Sequence, residues 1–386
     1  MKKYSRKLIV VGILVLLLVT LILLQTSKAV CDFFATTVSR YWIMIFGTLF
    51  GVLPISFYEW LLIFAILGGI AFIVFVIIFC VKKKWQTLIS LTLSVAIGVL
   101  SFVNVYSVSA SFAYNRSDLP VEIVRAHTSR EFSYDDAVDL ATKLISGLND
   151  AYLKTAHDES GNVLFPFTFS ELNDLLASEY ERLTDDYFSE YTTQAKKIIN
   201  KTIMSELHIS GVFFAPFGEA NINGNQNNYN LPFTMAHELA HGKGVMRESD
   251  ANTVAAYLLL TSDNVYLRYS ALLNCVSDTI QLVSLYPNSN EKCKELSEMV
   301  TSGVYVEMSN YRKEIAQYTA LKDLGNFFNN IYLKLNKQEG TSSYVKPSET
   351  QGTGKKDDDG EEIVKIINYS NIQNLLIGLY NSNLFD

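Results

Sequence analysis

Cysteine is scarce in this chain, with four residues in 386 and no CxxC pair among them, which excludes a structural zinc ribbon. Cys275 and Cys293 alone fall in the polar part of the chain; they form a disulfide if that part lies outside the cell, or stand as two buried thiols, and the sequence leaves both open. Basic charge is also lacking. The formal net charge is −7 and the acidic groups lie mostly after residue 115, so there is no basic face to neutralise phosphates and nucleic acid is excluded as a partner. No internal repeat is evident. Long apolar runs are absent from the last two thirds of the chain, which has the composition of a globular domain, because nearly all of them crowd into the first 110 residues.

Those first residues hold three stretches of membrane-spanning length. Residues 8–24, "LIVVGILVLLLVTLILL", follow the basic "MKKYSRK"; the run is longer than a signal-peptide core and no A-x-A site follows it, so it is expected to be retained as a span. Residues 59–80 form a second span, ending at Lys82, Lys83 and Lys84, and residues 87–108 form a third. Between the first two lies 41–57, short for a span and carrying Pro54 near its end, which reads as an interfacial or re-entrant segment. Three spans put "KKYSRK" and "KKKW" on the cytoplasmic side and everything after residue 109 outside, as the positive-inside rule requires, whereas four would turn the lysines outward. The lipid bilayer is therefore a partner, and a transporter or channel is disfavoured by so few spans without membrane-embedded charge.

Residues 111–386 read as one extracytoplasmic domain, mainly α with a small β-sheet. A Ser/Asp start and helical spacing predict a helix over 133–151, mixed helical patterns run through 170–208, and 251–335 is again helical. The stretch "SGVFFAPFGEANINGNQNNYN", 210–230, predicts strand and loop; its apolar run suits either an edge strand, to which an extended peptide can add, or a core strand. A polar, Gly- and Ser-rich segment at about 338–362 predicts a flexible loop, after which helical spacing returns to the end.

The stretch with chemistry in it is "LPFTMAHELAHGKGVMRESDAN", 231–252. On a helix His237 and His241 project from one face, and both imidazoles reach one metal ion. Glu238 stands about 100° further round, beside the ion, where a carboxylate can act as general base on water that zinc makes acidic near neutral pH. Pro232 suits a first helical turn, Asn230 a cap, and Gly242 and Gly244 a stop, after which a second helix begins near Arg247. Glu248 opens that helix and is the expected third ligand, Asn252 shares its face and can orient a ligand, and Asp250, about 200° away, is expected to point to solvent. Tyr332 and Tyr344 are candidates to stabilise an oxyanion, with packing the plainer role. His127, His157 and His208 stand singly and read as surface or core residues.

Taken with the spans ahead of it, "SGVFFAPFGEANIN…LPFTMAHELAHGKGVMRESDANTVAAYL" resembles the DUF3810 family of bacterial membrane proteins, which look like gluzincin-type zinc metallopeptidases. "IYLKLNKQEGTSSY", 331–344, is similar to that family's C-terminal YLK…SY segment. The resemblance implies a zincin-like domain in which His237, His241 and Glu248 bind Zn2+ and Glu238 is the base. Where gluzincins often carry an aspartate, this chain has Asn252. The expected function is a membrane-anchored zinc metallopeptidase acting on a peptide or protein substrate. Its rival is a non-catalytic zinc-site membrane protein that binds a peptide or envelope partner, a role with no need of Glu238.

Overall fold

In the computed structural model, which describes residues 4–120, 132–344, 348–356 and 362–385, the apolar runs form helices α1 (Ser5–Leu24), α4 (Phe57–Val81) and α5 (Trp85–Tyr106). Side chains such as Leu16, Phe64 and Ile73 point outward along them, a surface that is stable only out of water. This is a membrane protein. Helix α1 runs parallel to α5, with the Tyr4 hydroxyl donating to the Gln86 carbonyl, Lys7 Nζ to Ser90 and Ser94, and Asn104 Nδ2 to the Leu14 carbonyl. The start of α1 and the Lys82–Lys84 turn between α4 and α5 are thus at one end of the bundle.

Between α1 and α4 the chain forms α2 (Lys28–Thr36) and α3 (Val38–Gly51), parted at Thr37, whose backbone leaves the helical region at φ −122°, ψ −82°. By length and composition Lys28–Gly51 is a fourth segment able to cross a membrane, at a mean hydropathy of 1.2 against 3.1, 3.2 and 2.1 for the other three. Both halves lie against the polar part of the chain. Asp32 accepts from the Ser117 amide and hydroxyl at 2.7 and 2.6 Å, Arg40 donates to the Asp186 carbonyl, and Trp42 Nε1 donates to the Pro216 carbonyl at 3.1 Å.

After α5 the helix continues through a π-helical turn at Ser107–Ser111 and ends at Tyr114. The domain beyond is mainly helical. Helix α6 (Tyr134–Lys154) starts in a Ser133/Asp136 capping box and buries Leu140, Leu144, Ile145 and Leu148 as one stripe, the outcome that its spacing predicts. Helix α7 (Phe169–Tyr180) is capped by Thr168 and Glu171. The helical expectation for 170–208 then fails, because Ala195–Ile198 is a strand, β1. Its partner lies 25 residues on, out of reach of local periodicity, and its first residue is held by Asn173, which bonds both the amide and the carbonyl of Ala195.

A short helix α8 (Lys201–Glu206) leads to β2 (Gly211–Phe214) and β3 (Glu219–Asn223). The sheet has the order β1-β3-β2, parallel between β1 and β3 and antiparallel between β3 and β2. Strand β3 is the core strand, buried at all five residues, and β2 is an edge. At the sheet's foot Lys196 and Glu219 form a buried ion pair at 2.6 Å; Lys196 also donates to the Phe50 and Ile55 carbonyls, and Glu219 accepts from the Phe57 and Tyr58 amides. Glu59, one residue further, accepts from the Ile199 and Asn200 amides. The start of α4 is thus bolted to the sheet by charges whose remaining bonds are made, the condition under which a buried pair is tolerated.

Helices α9 (Leu231–Gly242), α10 (Glu248–Leu260), α11 (Val265–Ser284), α12 (Asn290–Met299), α13 (Ser302–Ala316) and α14 (Lys322–Leu335) follow. Within the stretch expected to form a flexible loop, about 338–362, Gly340–Tyr344 is a 3-10 turn, and β4 (Glu349–Lys356) pairs antiparallel with β5 (Glu362–Asn368). Within that expectation 345–347 and 357–361 lie outside the described residues. Helical spacing resumes only at α15 (Asn371–Asn381), behind a Ser370/Gln373 capping box. Cys275 and Cys293 are both free thiols, the first buried in α11.

Candidate metal centre

Helix α9 crosses the sheet with the histidine face buried. Pro232 occupies its first turn, while Asn230 stands at the cap position without a capping bond and is held instead by Gln226. The helix ends at Gly242, and Gly244, at φ +94°, turns the chain in a conformation that a β-carbon resists. Four residues later α10 begins with Glu248, so the turn returns a carboxylate to the two imidazoles it has just left.

His237 Nε2 lies 3.1 Å from Glu248 Oε2 and 3.1 Å from His241 Nε2, and His241 Nε2 lies 3.7 Å from Glu248 Oε2. Ligand atoms about 2.05 Å from one tetrahedral ion stand about 3.3 Å apart, and these separations bracket that value. The outer ring nitrogens decide what faces inward. His241 Nδ1 donates to the Val245 carbonyl at 2.7 Å, and His237 Nδ1 donates to Asn252 Oδ1 at 2.8 Å. The Asn252 amide cannot be reversed, since its Nδ2 donates to the Tyr344 carbonyl at 3.0 Å. With both Nδ1 atoms so engaged, the two Nε2 atoms and the Glu248 carboxylate are left facing one another at a spacing that would accommodate a metal ion among them. The donor set, two imidazoles and a carboxylate, suits zinc. Among the described residues no other group of three or more His, Cys, Asp or Glu is gathered this closely.

Glu238 is buried beside the three, with Oε2 unpartnered by any protein group among the described residues. Burial pushes its carboxyl up to about 8, against the pull of His237 and the Phe213 amide and with the Glu248 charge adding to the rise. Burial also acts to raise Glu248, but the two histidines outweigh it and hold that carboxyl down at about 2. Two adjacent carboxylates are thereby separated in proton affinity. Glu238 is pressed against β2: a β-carbon on Gly211 would lie 2.5 Å from its Oε1.

Asp250 is corrected. It is buried rather than solvent-facing, bonded to Arg247 Nε at 2.5 Å and to Asn371 Nδ2 at 2.8 Å. The helical angle does turn it away from the ligands, but a neighbouring helix occupies the space there. Asn252 faces His237, accepting from its Nδ1. Tyr344 lies over His237 with ring centroids 6.5 Å apart, and burial keeps its hydroxyl protonated, raised above the ordinary phenol range. Tyr332 is further out, bonded to the Tyr106 and Tyr114 hydroxyls at 3.1 and 2.8 Å.

Sequence reasoning missed the membrane helices' share in these surroundings. Tyr58, in the first turn of α4, lies near enough to Glu238 to feel its charge, and Phe214 of β2 packs on Tyr58 and Phe102 of α5 at 4.9 and 6.1 Å. No local signal marks those aromatics among so many. Beside Asn252 and Tyr344 opens a cavity of about 220 Å³ that reaches Asn274, Asp278 and Asn371. His157 bridges to Val163, His208 faces the Tyr318 carbonyl, and His127 lies outside the described residues.

The profile of a protein family described as a protein of unknown function, DUF3810, matches residues 34–347, which include the whole of this centre. Comparison with curated proteins and with solved structures yields no match.

Proposed function

The chain belongs to the DUF3810 family, and we propose that it is a membrane-anchored zinc metallopeptidase of gluzincin type with a zincin-like domain. The observation that carries this reading is the inward convergence of His237 Nε2, His241 Nε2 and Glu248 Oε2, with the outer nitrogens of both imidazoles already bonded, beside a buried Glu238 whose Oε2 has no protein partner among the described residues. Zinc bound there supplies a Lewis acid for the scissile carbonyl and lowers the pKa of water to about 7. Glu238, buried beside the three with Oε2 unpartnered among the described residues, would be the general base that takes up a proton and returns it to the departing amine. Asn252 and the Val245 carbonyl keep the two imidazoles in the ligating tautomer. Strand β2, whose outer edge pairs with no strand among the described residues, offers backbone groups to an extended peptide at Gly211, directly over Glu238.

The domain works on the extracytoplasmic side in this proposal. The first basic segment and the Lys82–Lys84 turn share one end of the bundle, which the positive-inside rule puts in the cytoplasm. Helices α2 and α3, broken at Thr37 and held along their length by the domain, stay on the domain's side, leaving three crossings.

The test uses the full chain, since the sheet is bolted to α3 and α4. Purified protein is expected to hold one zinc and to cleave members of a peptide library, with loss on chelation; Glu238→Gln should keep the metal and lose the cleavage. Metal binding without cleavage of any peptide would favour the non-catalytic binding role.

A further inference from the structure

Helix α14 turns an apolar face outward. Leu324, Phe327, Phe328, Ile331 and Leu335 are all exposed, Leu335 at 79% and Phe328 at 58%, and their positions fall within an arc of about 100° on a helical projection. In water such an arc is unfavourable over its whole length, so its location in the molecule decides what covers it.

The C-terminal end of α14 is tied to the foot of α5, and its N-terminal end to α8, which is in turn fastened to α4. Toward its C-terminus the Tyr332 hydroxyl accepts from Tyr106, the last residue of α5, and Asn336 Nδ2 donates to the same Tyr106 hydroxyl at 3.0 Å. Toward its N-terminus Gly325 sits against the Leu207 carbonyl, at the end of α8, with no room for a β-carbon. The turn into α8 is itself held by Glu59 of α4, through the Ile199 and Asn200 amides. Ile199 and Ile203, at 70% and 48% exposure, continue the apolar surface there. The helix thus runs from the end of α8, whose leading turn is held at the foot of α4, to the foot of α5, on the side of the molecule where both apolar helices meet the domain. Lys322, Lys334 and Lys337 flank it, as cations do at a headgroup layer.

We propose that the partner of this face is the lipid bilayer: α14, together with Ile199 and Ile203, lies in the membrane interface as an amphipathic helix. The inner side of α14 supports the metal centre, because Asn329 Nδ2 bonds the hydroxyl of Tyr344, which lies over His237. The centre is then one helix away from lipid.

The test needs neither metal nor activity. Benzoylphenylalanine replaces Phe328 or Leu335 in the full-length protein, which is reconstituted in lipid nanodiscs, irradiated and examined by mass spectrometry. Phe75 on α4 is the lipid-facing reference and Lys294, an exposed residue of α12, the aqueous one. Lipid adducts at 328 and 335 within about threefold of those at 75, and at least about tenfold above 294, are expected for an interfacial helix. Absence of lipid adducts at both positions would overturn the proposal, and so would crosslinking to a second copy of the chain in their place.

Discussion

One amide ties the candidate metal centre together at the residue scale. Asn252 accepts from His237 and donates to Tyr344, so a neutral side chain fixes both a tautomer and the aromatic cover, and an aspartate there could do only the first. The carboxylates around it have separate tasks. Glu248→Ala removes one of the three proposed ligands and is expected to lose the metal, while Asp250→Ala should keep it. Because Asp250 is buried on Arg247, that second change should also cost about 2 kcal/mol, less than a fully orphaned buried charge since Arg247 retains Asp118 and two carbonyls. Metal analysis and thermal unfolding of both variants separate the two effects. Asp278 behaves differently. Burial raises its carboxyl to about 6, above the unfolded value, so the stability it contributes is complete below about pH 4 and is lost as pH rises through about 6. Asp278→Asn is therefore expected to raise the melting temperature at pH 7.5, by on the order of 2 kcal/mol of stability, and to bring no gain at pH 4.

Among elements, β2 carries a constraint at the site itself. Its first residue must be glycine because Glu238 fills the space of a β-carbon, with Oε1 2.5 Å and Cγ 2.7 Å from that position. Gly211→Ala leaves the three ligands untouched and pushes the base aside. We expect full zinc content and turnover lower by on the order of 100-fold, the usual effect of a misplacement near 1 Å. Loss of zinc together with turnover would mean that β2 positions the ligands instead. The strand was legible in the sequence as an apolar run between turn residues. Its edge position was not, because that depends on β1, whose four residues carry no alternation and whose partner β3 comes later in the chain.

For the whole molecule, anchor and domain are one structure rather than a stalk and a head. Lys196, Glu219 and Glu59 fasten the sheet to the start of α4, and Tyr58 and Phe102 pack around the metal centre's edge strand. Sidedness is the property to measure. Protease added to intact cells is expected to cut within 345–361, and a membrane-impermeant thiol reagent to reach a cysteine placed there, with no access to one in the Lys82–Lys84 turn until lysis. Protection of the first and labelling of the second would reverse the topology.

The apolar runs, the basic flanks and the HExxH pattern are local properties, so the sequence by itself determined that the chain has membrane-length helices and that His237, Glu238 and His241 share one helical turn. Glu248 was reachable too, because a glycine stop followed by a new helix leaves few directions for its first residue. The tertiary structure alone decided the rest. Whether Asp250 met water or a partner depended on α15, more than a hundred residues away, and whether 349–356 and 362–368 formed strands depended on a pairing partner rather than on polarity. The bonds that tie α14 to Tyr106 and Leu207 join segments far apart in the chain, and no helical period records where an apolar face will come to rest.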